Sequence, residues 1–168
     1  DMQTVYFTRS NMKKGKLKRD QQERAHLQLF SAQLKGKKYK KEVLLPFNGD
    51  SYSTGHPALS ADGQTMVFAS DIPGGIGGSD LYITRMEKGN WTTPRNLGSA
   101  VNSIGDELFP YLASNGMLFF ASNGQPGLGG LDIFFGFPLP DGTWGNVKNP
   151  GSPLNSARDD FSIVWDNR

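Results

Sequence analysis

Two stretches of this chain are near-copies of one another, and a worn third copy precedes them. HPALSADGQTMVFASDIPGGIGGSDLYITRMEKGNWTTPRNLGSAVNS, from His56 to Ser103, aligns with FPYLASNGMLFFASNGQPGLGGLDIFFGFPLPDGTWGNVKNPGSPLNS, from Phe109 to Ser156. Phe68 and Phe120 stand 52 residues apart, as do Asp80 and Asp132, while Trp91 and Trp144, and Asn102 and Asn155, stand 53 apart. A period of this length, carrying four short apolar runs separated by turn residues, is how a β-propeller blade reads. The expected fold class is therefore all-β, with blades of four antiparallel strands: about three blades plus a partial one, a portion of a six-bladed or larger propeller.

In the middle copy the strands are expected at 56–60, 65–70 and 80–86, with a fourth beginning near Trp91. An Asp-Gly turn follows the first strand and a glycine-rich loop, 71–79, follows the second. The last copy repeats the order at 109–113, 117–122, 131–137 and 143–147. In the first fifty residues TVYFTRS matches TMVFASD and HLQLFSAQLKGKKYKK matches DLYITRMEKGNWTTP, so the innermost strand of that blade is missing. The chain divides into a partial blade at 1–50, blades at about 51–104 and 105–158, and the start of a further blade at 159–168, where DDFSIVW parallels DELFPYL. Three blades and a fragment cannot close a propeller, which takes about 4 to 8. Together with the abrupt opening on a strand, this leads to the expectation of a piece of a longer protein, or of closure by a second molecule.

The 21 Gly and 10 Pro argue against a helical bundle. There is no Cys, so disulfides and thiolate metal sites are excluded. No window approaches the roughly 18 apolar residues of a membrane-spanning helix. The net charge of +2 hides an asymmetry, since residues 1–50 hold twelve Lys and Arg against five acids and the remainder six against eleven.

Several motifs invite chemistry. The loops holding Gly74, Gly75, Gly77, Gly78 and Asp80, and Gly127, Gly129, Gly130 and Asp132, look like phosphate cradles, but they lack the Lys and Ser/Thr of a P-loop and run into a strand. The expectation is structural, with glycines supplying positive φ and the two aspartates accepting loop N–H bonds. The acid pairs Asp106-Glu107 and Asp159-Asp160 recur at equivalent places, which favours hydrogen bonding between blades over a glycosidase pair, which would be unique within the fold. Trp91, Trp144 and, less closely, Tyr39 recur as packing aromatics. No catalytic residue, metal ligand or cofactor is assigned. With two histidines, His26 and His56, a three-His zinc site is impossible, and His56 is kept as a possible ligand contact on a channel-lining strand. The least repetitive segment is 10–26, SNMKKGKLKRDQQERAH, whose Lys13, Lys14, Lys16, Lys18 and Arg19 are the candidate partner contacts. Without base-stacking aromatics the segment is not a nucleic-acid site; an anionic protein, lipid headgroup or cell-wall polymer fits it better.

The strings VYFTRSN, GHPALSADGQTMVFASDIPGGIGGSDLY, GDELFPYLASNGMLFFASNGQPGLGGLDIFF and NSARDDFSIVWD resemble the TolB-type, WD-repeat-like propellers of Bacteroidetes OmpA-family proteins, most closely the PorE-type members of the type IX secretion system. That resemblance implies the periplasm, association with the outer membrane, and a parent protein anchored to peptidoglycan through a domain outside this chain. It implies a non-catalytic scaffold for protein partners. A binder of carbohydrate or peptidoglycan fragments is the alternative, and a propeller hydrolase comes third.

Overall fold

A computed structural model of the chain describes residues 3–13, 15–145 and 147–164, Lys13 through its backbone alone. Among these residues there is no helix, and all strand pairs are antiparallel.

The first sheet joins β1 (Gln3–Ser10), β4 (Leu27–Lys35) and β5 (Lys38–Leu44) in the order β1-β4-β5, and a small hairpin of β2 (Met12–Lys13) and β3 (Lys16–Leu17) is inserted between its first two strands. The second sheet joins β6 (Thr54–Leu59), β7 (Thr65–Ser70) and β8 (Asp80–Glu87), with the two-residue strands β9 (Asn90–Trp91) and β10 (Arg95–Asn96) both laid along β8. The third is β11 (Glu107–Leu112), β12 (Leu118–Ser122) and β13 (Asp132–Gly136). None of the sheets closes on itself.

Side-chain alternation along the middle sheet decides how the three stack. Met66, Phe68 and Tyr82 point toward the first sheet, where they join Leu29, Leu45 and Phe47. Val67, Ala69, Leu81 and Ile83 point the opposite way and meet Leu118, Phe120 and Phe134 of the third sheet. The middle sheet is thus apolar on both faces, which is how a strand covered on two sides reads. Truncating a ring as enclosed as Phe68 or Phe120 to alanine costs about 3–5 kcal/mol.

The same alternation continues at both ends of the stack. Phe7 stacks on Phe30 at 5.7 Å between ring centres, on the face of the first sheet turned away from the second. Ile133 and Phe119 form a cluster with Tyr111, Met117, Phe135 and Ile163 on the far face of the third.

Two expected strands differ from what folds. The fourth strand of the middle sheet is broken between β9 and β10 at 92–94, where Pro94 has no N–H to give to a ladder. In the third sheet the expected strand at 143–147 is reduced to isolated bridges, Pro138 to Trp144 and Phe135 to Lys148. Residues 159–164 form no strand either, and Trp165 lies outside the described residues. The edge strands β6 and β11 are each bulged near their start. The bulges coincide with positive φ at His56 (52°) and Phe109 (51°), and Ser162, another 53 residues on, has φ 68°.

Candidate functional site

The polar groups between the sheets form one pattern written three times. Asn102 accepts the N–H of Leu81 at 2.8 Å and donates its amide to the Leu81 carbonyl at 3.1 Å, so one side chain does the work of a strand neighbour. Asn155 does the same to Ile133, at 2.8 Å in both directions, and Asn48 to Leu29, at 2.7 and 2.8 Å. In the second and third copies the amide also donates to Asn96 or Asn149, each of which accepts the N–H of a positive-φ glycine, Gly98 or Gly151. From sequence Asn102 and Asn155 stand out only as repeat positions, and the recurrence of Asn96, Gly98 and Asn102 as Asn149, Gly151 and Asn155 carries the signal for the rest.

The glycine loops are fastened at two points. Asp80 accepts Ile76 N–H at 2.6 Å and Gly77 N–H at 3.1 Å, and Asp132 accepts Leu128 and Gly129 N–H groups. The second fastening comes from the following module. Asp106 accepts Ser79 N–H at 2.8 Å, Glu107 N–H donates to the Ser79 carbonyl at 2.7 Å, and Asp159 and Asp160 treat Leu131 in the same way. Glu107 is fully buried and its carboxyl accepts Ser103 N–H, Ser103 Oγ and Ser122 Oγ, while Asp160 accepts from Ser156. Both acid pairs are therefore bound up in the joints between modules.

The reason expected for the loop glycines needs correction. Gly74 alone among the seven has positive φ, 91°. The others are required by close approach: a Cβ on Gly75 or Gly127 would strike the aspartate of its own loop, and on Gly78 or Gly130 it would strike Asp106 or Asp159. On Gly77 it would meet the Ser103 and Gly105 carbonyls, and on Gly129 those of Ser156 and Arg158.

His56 is half-buried on β6 and stacks on Phe109 with ring centres 4.2 Å apart, and Phe109 stacks in turn on Phe161 at 5.0 Å. Its Nδ1 faces the Phe109 N–H at 3.4 Å, and its own N–H donates to Thr8 Oγ1 at 3.0 Å. Burial pushes the imidazole pKa below its ordinary value, favouring the neutral ring.

The basic excursion is an ordered appendage of the first sheet. Its Asp20 carboxylate accepts N–H groups of Arg24 and Gln22 at 2.9 and 2.8 Å and lies 2.9 Å from His26 Nε2. The Arg24 N–H first, and then His26, hold that carboxyl well below the usual carboxylate range. Lys18 pairs with Asp50, and Arg19 donates to the Glu23 carbonyl at 2.5 Å, so two of the candidate contacts are engaged within the chain. Lys16 is exposed on β3; the side chain of Lys13, and all of Lys14, lie outside the described residues. Lys18, Arg19, Asp20, Gln22 and Arg24 line a polar depression of about 460 Å³.

Each recurrent tryptophan packs toward the preceding sheet. Trp91 meets Tyr6 edge-on at 5.8 Å, and Trp144 joins the cluster between the second and third sheets. Tyr39, at the matching place in the first copy, is 67% exposed because no sheet of this chain precedes its own. Among the described residues no group of three or more His, Asp and Glu gathers in a way that could hold a metal ion. A scan against protein-family models matches no family, and a search of curated proteins finds no match.

Proposed function

We propose that the three sheets are blades of a β-propeller and that the chain is a non-catalytic interaction scaffold. Its place would be the periplasm, as part of an outer-membrane-associated OmpA-family protein of the kind that serves type IX secretion. The observation that carries this reading is how the conspicuous polar groups are used. Asp80, Asp132, Asp106, Glu107, Asp159 and Asp160 all bind backbone or hydroxyl groups of this chain at equivalent positions. The segment 10–26 is the polar element without a counterpart in the other copies, and the Asp20–His26 and Lys18–Asp50 pairs hold it in place, giving a partner a preformed basic surface. Against the carbohydrate alternative stands the use of both recurrent tryptophans in packing.

The test is capture from a host outer-membrane extract at low ionic strength, comparing the chain with a variant in which Lys13, Lys14, Lys16 and Lys18 are all glutamine. Exposed pairs such as Lys18–Asp50 are worth about 1 kcal/mol or less, so the melting midpoint should barely move. Capture should fall. Capture equal to that of the unaltered chain would remove the basic segment from the interaction.

A further inference from the structure

The long loops of the three sheets leave from one end of the strands. Ser10 pairs with Leu27, Ser70 with Asp80 and Ser122 with Asp132, so segments 11–26, 71–79 and 123–131 all spring from that end. The connections between sheets lie beside them: Lys18 and Asn11 reach Asp50, Ser53 N–H donates to Asp71, and Ser79 N–H donates to Asp106. Each glycine loop carries an aliphatic side chain that the core does not take up. Ile76 and Leu128, 52 residues apart and so at equivalent places, are both exposed. Ile104 is 87% exposed, the barest large hydrophobic among the described residues. Its backbone lies against Gly77, and that of the next residue, Gly105, against Gly124, which fixes Ile104 between the two loops.

On the first sheet the same end carries the β2–β3 hairpin, whose Met12 and Leu17 are cross-strand partners and both exposed. Segment 10–26 holds six Lys and Arg against two acids, an excess of four. One of those acids, Asp20, is taken up within the segment by the N–H groups of Gln22 and Arg24 and by His26. Single exposed aliphatics are ordinary on a protein surface. Five at one end, beside so basic a hairpin, call for a partner that is apolar inside and anionic at its face. We infer that this end of the sheets docks on an anionic lipid surface, with Ile76, Ile104 and Leu128 entering the headgroup boundary and the basic groups of 10–26 lying against the phosphates. The inference rests on the reading of 10–26 as a contact surface and names lipid as what it contacts.

A protein partner fits these tips less well. Protein interfaces are anchored by aromatic and Arg side chains in a closed, packed patch, whereas these tips are aliphatic and stand on separate loops. At a bilayer separate tips suffice, because the acyl boundary closes around each one while Lys stems keep their charged heads at the headgroup level. The loops suit insertion for a further reason. Their fastening to Asp80, Asp132 and Asp106 holds the tips in place, so little conformational freedom is left to lose on binding.

The experiment is co-sedimentation of the chain with vesicles of phosphatidylcholine, alone or mixed with phosphatidylglycerol. The chain should pellet with the mixed vesicles and stay in solution with the neutral ones, and added salt should release it. Ile76→Ser, Ile104→Ser and Leu128→Ser combined should lower the partition coefficient at least about tenfold, and so should Lys13→Gln, Lys14→Gln, Lys16→Gln and Lys18→Gln combined. Because the chain has no cysteine, Ile104→Cys and Asn90→Cys each take a single polarity-sensitive label. Asn90 is exposed beyond the opposite end of β8, so mixed vesicles should blue-shift the label at 104 and leave the label at 90 unchanged. The labels read insertion independently of how the combined variants fold. Equal binding to neutral vesicles, no binding to mixed ones, binding that the combined serine substitutions leave intact, or equal shifts at both labels overturns the inference. Capture from the outer-membrane extract that needs the lysines, with no vesicle binding, assigns the basic segment to a protein and overturns lipid docking alone. Vesicle binding without capture of any protein leaves lipid docking standing and removes the scaffold reading.

Discussion

Asn102 grips the peptide of Leu81 from both sides, accepting its N–H and donating to its carbonyl, just past the end of β10. Asn102→Ala leaves the Leu81 N–H buried without a partner, leaves its carbonyl with the Leu97 N–H as donor, and takes a donor from Asn96 as well. The expected cost is about 2–4 kcal/mol, read as a lowered urea midpoint with an unchanged slope. Asn155→Ala should behave alike, since its three hydrogen bonds correspond one for one.

The two loop aspartates should tolerate amide substitution unequally. Asp80 uses both oxygens, Oδ1 for Gly77 and Oδ2 for Ile76 and Asn96. Asp132 takes both of its loop N–H groups on Oδ2, and its Oδ1 has no hydrogen-bond partner. Asp132→Asn can keep both bonds through its carbonyl oxygen, whereas Asp80→Asn must turn an NH₂ toward one donor. Asp80→Asn should therefore be the more destabilising by about 1–2 kcal/mol in parallel denaturation curves.

Gly77→Ala and Gly74→Ala separate close approach from backbone conformation. A methyl at 74 meets open space and costs only the strain of its φ, about 1 kcal/mol. At 77 it drives into the carbonyls of Ser103 and Gly105, which belong to the joint with the third sheet. We expect roughly 2–3 kcal/mol there, with faster hydrogen exchange at Gly78 and Glu107, whose N–H groups cross that joint.

His56→Phe copies the third module, where Phe109 occupies the matching bulge at nearly the same φ. Because burial lowers the His56 pKa, the unfolded chain takes up this proton first. The histidine's contribution is intact above about pH 6.5 and declines as the pH falls through that value toward the folded pKa. The variant should fold, and its stability relative to the unaltered chain should rise as the pH is lowered from about 7.5 to about 5. A constant difference between the two across that range would show that His56 does not titrate in this way.

The repeat was legible in the sequence because most of its marks are side chains with one fixed place in each sheet: Phe68 and Phe120 in the interlayer core, Asp80 and Asp132 at the mouth of a loop. Fourth strands were harder to read. Trp91 keeps a ladder place in β9 although Pro94 breaks the strand three residues on, and Trp144 makes only an isolated bridge, while each ring keeps the same packing role. The glycines misled in a different way, since a residue chosen for φ and one chosen for want of a side chain are written with the same letter. Asn48 escaped notice because its turn is shorter, with the Leu45 carbonyl accepting where the later copies use a second asparagine. Tyr39 shows the limit of matching by position: the residue recurs, but the wall it would lean on does not.

The fastening of each glycine loop by acids of the next module makes the piece that folds together out of step with the piece that repeats. A cut placed just after Ser156 would respect the sequence period and yet strand the Leu131 peptide, whose latch is Asp159 and Asp160. Anyone grafting, duplicating or trimming these units should carry the acidic dipeptide with its predecessor, as a tenon travels with the beam that it locks.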